Sequence, residues 1–338
     1  MENLIKNKYD ILKKKKLLNI RKKVFIAISS LDRDWYNLSE TPFIFKVKFD
    51  DLGNNTYTNI TNNIKNIVSI KLETSIIPNK NLNITYTSTG NTLDNYPFII
   101  VDVGNINNVI YGSNNNLSSS LAVMSAITPM LKAASENRYL EFKNLNHSIK
   151  EYYDNPIASL SDLEIKIKNP QGSNLTDIQD VLTIDTIYNT GSDSSEFLKI
   201  KTTTYFGSEY QVGDIIIIKN YVYRETDTYF SAATDFNNFI NRIEGHKIIS
   251  LTSSSGSSSL SHYNNLISIS IPHSISTTNG ELTLDSSYTE LKTKSSTDDD
   301  SSSSGDTGGK LINTNLQTNL FINIEYLEKN NLIKSELI

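Results

Sequence analysis

Short runs of alternating apolar and polar residues recur along the chain. Within Phe43–Phe49, apolar and basic side chains alternate from Phe45 onward, which is the period-two pattern of a half-buried strand. Ile64–Ile77 is the strongest such segment, and Pro78 is expected to end it because proline cannot donate to a central ladder. Pro97–Val103 is almost continuously apolar, which predicts a strand buried on both faces. The chain is therefore predicted to be mainly β.

The remaining predicted strands continue this series almost to the C-terminus. They are Val24–Ile28, Leu82–Tyr86, Leu121–Ile127, Arg138–Phe142, Leu163–Lys168, Val181–Tyr188, Phe197–Thr204, Gly213–Lys219, Tyr221–Tyr223, His246–Leu251, Leu266–Ile271 and Leu316–Tyr326. Strands at intervals of about ten to twenty residues, joined by Asn, Gly and Ser turns, favour an antiparallel sandwich or barrel over a βαβ sheet.

The clearest helical periodicity in the chain lies in a single segment, although residues 1–23 also show loosely helical spacing. In Ala232–Ile243 the apolar residues Phe236, Phe239, Ile240 and Ile243 fall on one face of a helix, and Gly245 fits its C-terminal stop.

These elements suggest four regions. Residues 1–23 are predicted to be a basic N-terminal arm, and residues 24–190 together with 311–338 a β-sandwich. Residues 195–275 are predicted to be a smaller, inserted β-rich domain that contains the helix. Residues 276–310 form a Ser/Asp-rich stretch that cannot bury enough apolar area to offset chain entropy, and we expect a flexible loop there. The strand beyond it should pair back into the sandwich.

The net charge of −5 gives no general attraction to nucleic acid or anionic membranes, so the basic arm is the exception. Its clustered cationic residues, the candidates for an interaction, are Lys13, Lys14, Lys15, Lys16, Arg21, Lys22 and Lys23. Two interpretations remain open: a solvated terminus, as is usual for charge runs, or an arm that contacts nucleic acid, an acidic protein surface or a lipid headgroup. The arm lacks the apolar stretch of a signal peptide, and no segment of the chain approaches a membrane span.

Composition and spacing indicate no catalytic or metal site. The chain has no cysteine, which excludes disulfides and thiolate ligands. The histidines have no zinc-binding spacing; they are His147, His246, His262 and His273. Gly305–Lys310 departs from a phosphate loop, since Ser304 replaces the first glycine and Leu311 follows the lysine. Asp298–Asp300 lacks the ligand spacing of a calcium loop. We therefore expect no metal, no cofactor and no small-molecule substrate.

The segment Asp32-Arg33-Asp34-Trp35 is the most distinctive cluster of charge in the chain. Two carboxylates flank a guanidinium beside the only tryptophan, directly after the first predicted strand. Carboxylates at this spacing could serve acid–base chemistry, which requires particular separations and contrasting pKa values. The favoured interpretation is a structural turn in which an aspartate lies on each side of Arg33 and an ion pair of this arginine stabilises the turn. Trp35 would then close one end of the core.

The order of several segments resembles a known group of viral proteins. These segments are Ser30–Trp35, Asn66–Leu72 with Ile77–Pro78, Tyr96–Asp102, Asn155–Pro156, Leu163–Gly172, Gly213–Ile216, Gly245–Ile249 and Asn315–Gln317. Together they look like the virion-associated or minor capsid proteins of nucleo-cytoplasmic large DNA viruses, the giant and algal viruses. The resemblance spans nearly the whole chain but includes no catalytic motif. It departs from the group in the long Ser-rich loops and in the Asn/Ser-rich region after Tyr111.

The resemblance implies a jelly-roll-like antiparallel sandwich and a non-enzymatic role. The protein would then lie in the virion, be assembled in the host cytoplasm, and pack against other capsid proteins or further copies of itself. The alternative is a β-sandwich that binds glycans or the host surface. A third hypothesis is a glycoside hydrolase with unrecognised carboxylates.

Overall fold

The structure is a computed structural model that describes residues 19–37, 39–49, 64–79, 93, 96–104, 106, 120–127, 139–145, 149–152, 155–175, 179–188, 197–207, 209–222, 233–253, 263–270, 273–275, 282–284 and 308–329. Its strands are β1 (Asn19–Ser29), β2 (Ile44–Lys48), β3 (Lys65–Pro78), β4 (Phe98–Val103), β5 (Ala122–Ala126), β6 (Tyr139–Asn144), β7 (Lys150–Glu151), β8 (Ile157–Ser159), β9 (Asp162–Lys168), β10 (Leu182–Tyr188), β11 (Phe197–Phe206), β12 (Ile215–Lys219), β13 (His246–Thr252), β14 (Asn264–Ser270), β15 (His273–Ile275), β16 (Leu282–Leu284), β17 (Lys310–Asn313) and β18 (Asn319–Lys329). One α-helix, α1 (Ala233–Ile240), and two 3-10 turns, Ser30–Asp32 and Thr314–Leu316, complete the described part. The prediction of a mainly β, antiparallel protein is confirmed.

The chain divides into two compact units. Unit 1 contains β1–β9 and β18, and unit 2 contains the intervening segment Gln179–Leu316 with β10–β17 and α1. Each unit has its own hydrophobic core. The chain therefore completes most of unit 1, builds unit 2, and returns to unit 1 for its last strand.

Unit 1 is a ten-stranded sheet with strand order β1-β18-β3-β6-β5-β4-β9-β2, and β7 and β8 also pair with β3. All its pairs are antiparallel. The two end strands contribute to one buried cluster, Ile26 and Ile28 from β1 and Phe45 and Val47 from β2. Because both ends of the sheet enclose the same core, the unit is sandwich-like.

The longest strand, β3, organises this sheet. It pairs with β18 on one side, and on the other side with β8, β7 and then β6 along its length. The predicted strand Ile64–Ile77 is confirmed almost to the residue, and Pro78 is its last residue. The return of the last predicted strand is also confirmed, since β18 lies between β1 and β3.

Unit 2 contains a closed barrel with strand order β10-β11-β14-β13-β12-β17. Its core combines apolar side chains from every barrel strand with Phe239 and Ile240 of α1. A separate pair, β15 with β16, completes the described strands of this unit. The predicted helix is confirmed, although it ends at Ile240 rather than Ile243.

The unit boundaries differ from the predicted domains at two strands. The sequence predicts that segment 24–190 lies wholly in the sandwich, but β10 pairs with β11 and β17 in the barrel. The predicted sandwich also includes residues 311–316, whereas β17 pairs with β12 and β10 in the barrel. Strand-forming segments look alike in sequence, and only the pairing distinguishes them. The inserted unit is therefore larger than 195–275, because closing the barrel requires both of these strands.

The predicted basic arm of residues 1–23 also requires correction. Strand β1 begins at Asn19, so Arg21, Lys22 and Lys23 belong to the sheet. Residues 1–18 lie outside the described part of the chain. Of the predicted loop 276–310, the structure describes only Leu282–Leu284, which form β16, and residues 308–310, of which Lys310 begins β17. The predicted strand Leu82–Tyr86 is outside the described residues.

Candidate interaction surface

Three of the predicted basic residues lie on β1, beside carboxylates of β18. Arg21 Nη1 and Lys23 Nζ lie 3.2 Å and 2.8 Å from the carboxylate oxygens of Glu325, and Lys22 pairs with Glu328. The strand register explains this pairing, since Lys23 is directly opposite Glu325. The hydrogen bond from Lys23 lowers the pKa of Glu325 below its ordinary value. Much of the positive charge of this segment is therefore balanced within the sheet.

The same strand presents a large aromatic side chain to solvent. Phe25 is 62 % exposed, while its neighbours along the strand Ile26 and Ile28 are buried. The Phe25 ring stacks on Phe321 of β18, with ring centroids 5.8 Å apart and an interplanar angle of 15°. Phe25 lies in the predicted strand Val24–Ile28, but periodicity alone does not tell an exposed phenylalanine from a buried one. Here β1 combines ion-paired charge with an exposed aromatic ring.

The turn after β1 is built around a buried arginine. Arg33 is 1 % exposed, and its Nη1 donates to the carbonyl oxygen of Ser30 and to Oε1 of Gln317, both at 2.6 Å. Ser30 Oγ also donates to Gln317 Oε1 at 2.7 Å and accepts from the backbone N–H of Thr318 at 3.0 Å. These contacts join the end of β1 to the segment that enters β18. Gln317 is 284 positions from Arg33, so sequence spacing gave no signal for it.

The neighbouring residues of this turn have structural contacts as well. Trp35 is buried, and its Nε1 donates to the carbonyl oxygen of Leu31 at 2.9 Å. The carboxylate of Asp34 accepts from the backbone N–H of Tyr36 at 3.0 Å, as in an Asx turn. These contacts fit the structural interpretation of Asp32–Trp35, and the acid–base alternative stays untested.

Unit 2 contains a fully buried carboxylate, Asp214, at the start of β12. Its Oδ2 accepts from Asn313 Nδ2 at 2.7 Å and from the backbone N–H of Gln211 at 3.0 Å. Its Oδ1 accepts from Asn315 Nδ2 at 2.9 Å. A buried carboxylate surrounded by donors in this way ties the loop before β12 to the end of β17. Asp214 therefore stabilises the barrel. The only signal for it in the sequence is the Gly213-Asp214 pair before a run of isoleucines.

His246 is another buried titratable group of the barrel. Its Nε2 lies 2.9 Å from the carbonyl oxygen of Ile240, and its ring packs edge-on against Phe239. A carbonyl only accepts, so Nε2 carries the proton in the neutral ring. Burial lowers the pKa of His246 to about 4, and the nearby charge of Arg242 contributes to that direction. The imidazole is therefore neutral at pH 7.

The rejected phosphate-loop candidate ends in the barrel wall. Lys310 begins β17, and its Nζ donates to Thr183 Oγ1 at 2.7 Å. Gly309 lies so close to Tyr221 that an added Cβ would come within 2.7 Å of the tyrosine Cβ. The glycine and the lysine therefore have packing and hydrogen-bonding roles where the structure describes them.

Other predicted features lie outside the described residues. These are Lys13, Lys14, Lys15, Lys16, His147, His262 and Asp298–Asp300. His273 lies on β15, and His246 lies on β13.

Two further properties of the described residues concern metals and membranes. In that part of the chain, no three or more His, Cys, Asp or Glu side chains are grouped so as to hold a metal ion. None of the helices described is both long and apolar enough to cross a membrane.

Comparison with known proteins adds no family assignment. No protein-family model matches the chain, and no curated protein sequence matches it.

Proposed function

We propose that unit 1 is a jelly roll and that the chain is a non-enzymatic structural protein of a large DNA virus particle. In this role it is a minor capsid component that packs against other capsid subunits. The observation that carries the proposal is the pairing pattern of the eight principal strands of unit 1.

These eight strands, in chain order, are β1, β2, β3, β4, β5, β6, β9 and β18. The first pairs with the eighth, the second with the seventh, the third with the sixth and the fourth with the fifth. This is the pattern of one long antiparallel hairpin. The remaining pairs, β18 with β3, β4 with β9 and β5 with β6, roll that hairpin up. A rolled hairpin of eight strands is the arrangement called a jelly roll.

The step from fold to function uses the resemblance in segment order. Jelly rolls occur in viral capsid proteins, lectins and cupins, so the fold by itself does not select one of these roles. The resemblance to virion-associated proteins of large DNA viruses favours the capsid. Unit 2 supports this choice, because a separate barrel placed before the eighth strand gives the chain a second surface for packing in an assembly.

Quantitative proteomics of purified particles tests the proposed function. Particles of the virus that encodes the chain would be treated with protease and density-purified, with the major capsid protein as positive marker and an abundant host cytosolic protein as negative marker. We expect the chain to copurify with the major capsid protein at a constant ratio across the gradient. Its presence in infected-cell cytosol together with its absence from particles would refute the proposal.

A glycan array with the purified chain tests the alternative function. Tight, selective binding to one class of glycan, together with absence from protease-treated particles, would favour a host-surface-binding protein.

A further inference from the structure

We propose that β1 forms a homodimer by antiparallel pairing with β1 of a second copy, with Phe25 opposite the partner's Phe25. This would join the sheets of two copies of unit 1 into one continuous sheet. The inference concerns self-association only and does not depend on the proposed viral function.

The first observation is that β1 is a long sheet edge. Among the strands that the structure describes, β1 is the last in the sheet order and its partner is β18. Its register with β18 is uninterrupted over 11 residues, without a bulge or a proline. The opposite edge strand, β2, has only 5 residues. Proteins commonly protect a sheet edge by keeping it short, bulged or interrupted by proline, and β1 has none of these features.

The second observation is the direction of the backbone groups. The N–H of Ser30 donates to the carbonyl oxygen of Thr318 at 2.9 Å, continuing the β1–β18 register. In an antiparallel ladder the direction of bonding alternates from residue to residue. The residues of β1 at even positions therefore bond β18, and Lys23, Phe25 and Ala27 direct their N–H and C=O groups toward the sheet edge. These are the donors and acceptors that a new strand requires.

The third observation is that the charge on β1 is confined to one half of the strand. Arg21–Lys23 are basic, whereas Val24–Ser29 are uncharged. Antiparallel pairing centred on Phe25 places Lys23 opposite the partner's Ala27 and Arg21 opposite the partner's Ser29. No like charges then face each other directly, which would be destabilising across strands. Parallel pairing in register would place every basic residue opposite its own copy.

The basic side chains are also already engaged away from the edge. Lys23 and Arg21 pair with Glu325, and Lys22 pairs with Glu328, all on β18. Because they are ion-paired, these cations prevent another strand from pairing with the edge less effectively than solvated lysines would.

The fourth observation is the exposed aromatic ring at the centre of the strand. Phe25 is 62 % exposed and already stacks on Phe321. In the proposed dimer the two Phe25 rings meet on the same face of the joined sheet. The stack then extends to four rings, Phe321 and Phe25 from each copy, which buries apolar surface that the monomer exposes.

Cysteine cross-linking of the full-length chain tests the register. The natural chain contains no cysteine, so each introduced thiol is the only one present. Directly opposed residues of a hydrogen-bonded pair have Cα atoms about 5.5 Å apart, which suits a disulfide. We expect Phe25→Cys to give a disulfide-linked dimer on mild oxidation. Lys23→Cys alone should not, because four residues along the strand separate the two copies of position 23 by about 14 Å. An equimolar mixture of Lys23→Cys and Ala27→Cys should form the mixed dimer.

Sedimentation velocity over a range of concentrations tests the association itself. The natural chain should form a dimer, and Phe25→Glu should weaken it about tenfold or more because two carboxylates would face each other. Phe25→Lys should weaken it similarly, and a mixture of the two variants should recover a heterodimer. Val212→Glu is the matched control, since Val212 in unit 2 is 63 % exposed, and it should leave the dimer unchanged.

Three results would overturn the proposal. The first is that the natural chain stays monomeric at all concentrations, as expected if β1 instead receives a strand from another protein. The second is cross-linking of Lys23→Cys as efficient as that of Phe25→Cys. The third is a dimer that persists unchanged in both Phe25→Glu and Phe25→Lys, whose native circular dichroism spectra would first show that they fold.

Discussion

His246 shows how a single buried residue can make the barrel sensitive to pH. Its neutral ring donates to Ile240 and packs against Phe239, and protonation would place a charge in that apolar setting. The Nδ1 atom is buried without a hydrogen-bond partner in the described part of the chain. Protonation of His246 is therefore expected to lower the stability of the folded protein in acid.

The direction of this pH dependence follows from the pKa of His246, which is about 4 in the folded protein against its ordinary value of 6.5. Between these pH values the unfolded chain binds a proton that the folded chain does not, so the free energy of unfolding falls as the pH decreases from 6.5 toward 4. The loss attributable to His246 should reach about 3 kcal/mol by pH 4. Urea unfolding at pH 7, 6, 5 and 4 measures it.

The matched control for this prediction is His246→Gln, which removes the titrating group and keeps a side-chain donor. Other acidic and histidine groups will change stability in both proteins, so the difference between their pH profiles is the relevant quantity. Parallel profiles for the natural chain and the variant would contradict the assignment to His246.

At the scale of the element, the turn between α1 and β13 depends on a glycine. Gly245 has φ of 72°, and a Cβ there would lie 2.5 Å from the carbonyl oxygen of Ile216 on β12. Gly213, with φ of 94°, has the same backbone handedness but no atom within 4 Å of an added Cβ. Comparing an alanine substitution at each of the two glycines therefore separates the effect of backbone strain from that of steric overlap.

We expect Gly245→Ala to lower the free energy of unfolding by about 3 kcal/mol or more, and Gly213→Ala by about 1–2 kcal/mol. The smaller loss is the cost of a left-handed conformation with a Cβ, and the larger loss adds the overlap with the β12 backbone. Denaturant unfolding of both variants gives the comparison. Equal losses would mean that the turn relaxes to admit the methyl group.

The strand β3 shows a limit of periodicity at this scale. In a regular strand the even-numbered residues Ile64, Asn66, Val68, Ile70, Leu72 and Thr74 share one face, which period two predicts to carry most of the apolar load. Ile70 and Leu72 are buried as that pattern predicts, but Ile67 and Ile77 are also fully buried at positions of the other parity. The register with β18 shifts twice, between the partners of Phe321 and Ile322 and between those of Glu325 and Tyr326. Each shift inserts an extra residue and moves the following side chains to the opposite face.

At the scale of the whole molecule, two cores formed by different stretches of chain predict independent folding of unit 2. The segment 179–316 contains all six barrel strands and α1, whereas 195–275 lacks β10 and β17. We expect a 179–316 fragment to unfold cooperatively on heating and to give a dispersed amide spectrum. A 195–275 fragment should not fold, because the open barrel would lose core residues such as Leu182, Ile184 and Leu311.

Circular dichroism melting and two-dimensional NMR of the two fragments make this comparison. A cooperative transition in the shorter fragment would show that β10 and β17 are dispensable. Failure of the longer fragment to fold would show that the barrel needs unit 1.

Several features of this protein were determined by the sequence alone, because they are local. Alternation with period two in segments such as Phe43–Phe49 identified strands, and helical spacing around Phe239 identified α1. The nearly continuous apolar run of β4 predicted burial on both faces, and Ile99, Ile100 and Val101 are all fully buried. The alternation of side chains between two faces is a property of a strand wherever it lies in a fold.

Tertiary structure alone decided which strands pair and which residues the pairing brings together. It placed β10 and β17 in a barrel, joined Arg33 to Gln317, and made a basic terminal segment part of a sheet by setting Lys23 opposite Glu325. These choices depend on contacts between residues up to about 300 positions apart, as in the bond from Ser30 to Gln317 with a separation of 287. Local periodicity does not record such partners, because any antiparallel strand of suitable polarity could satisfy the same backbone groups.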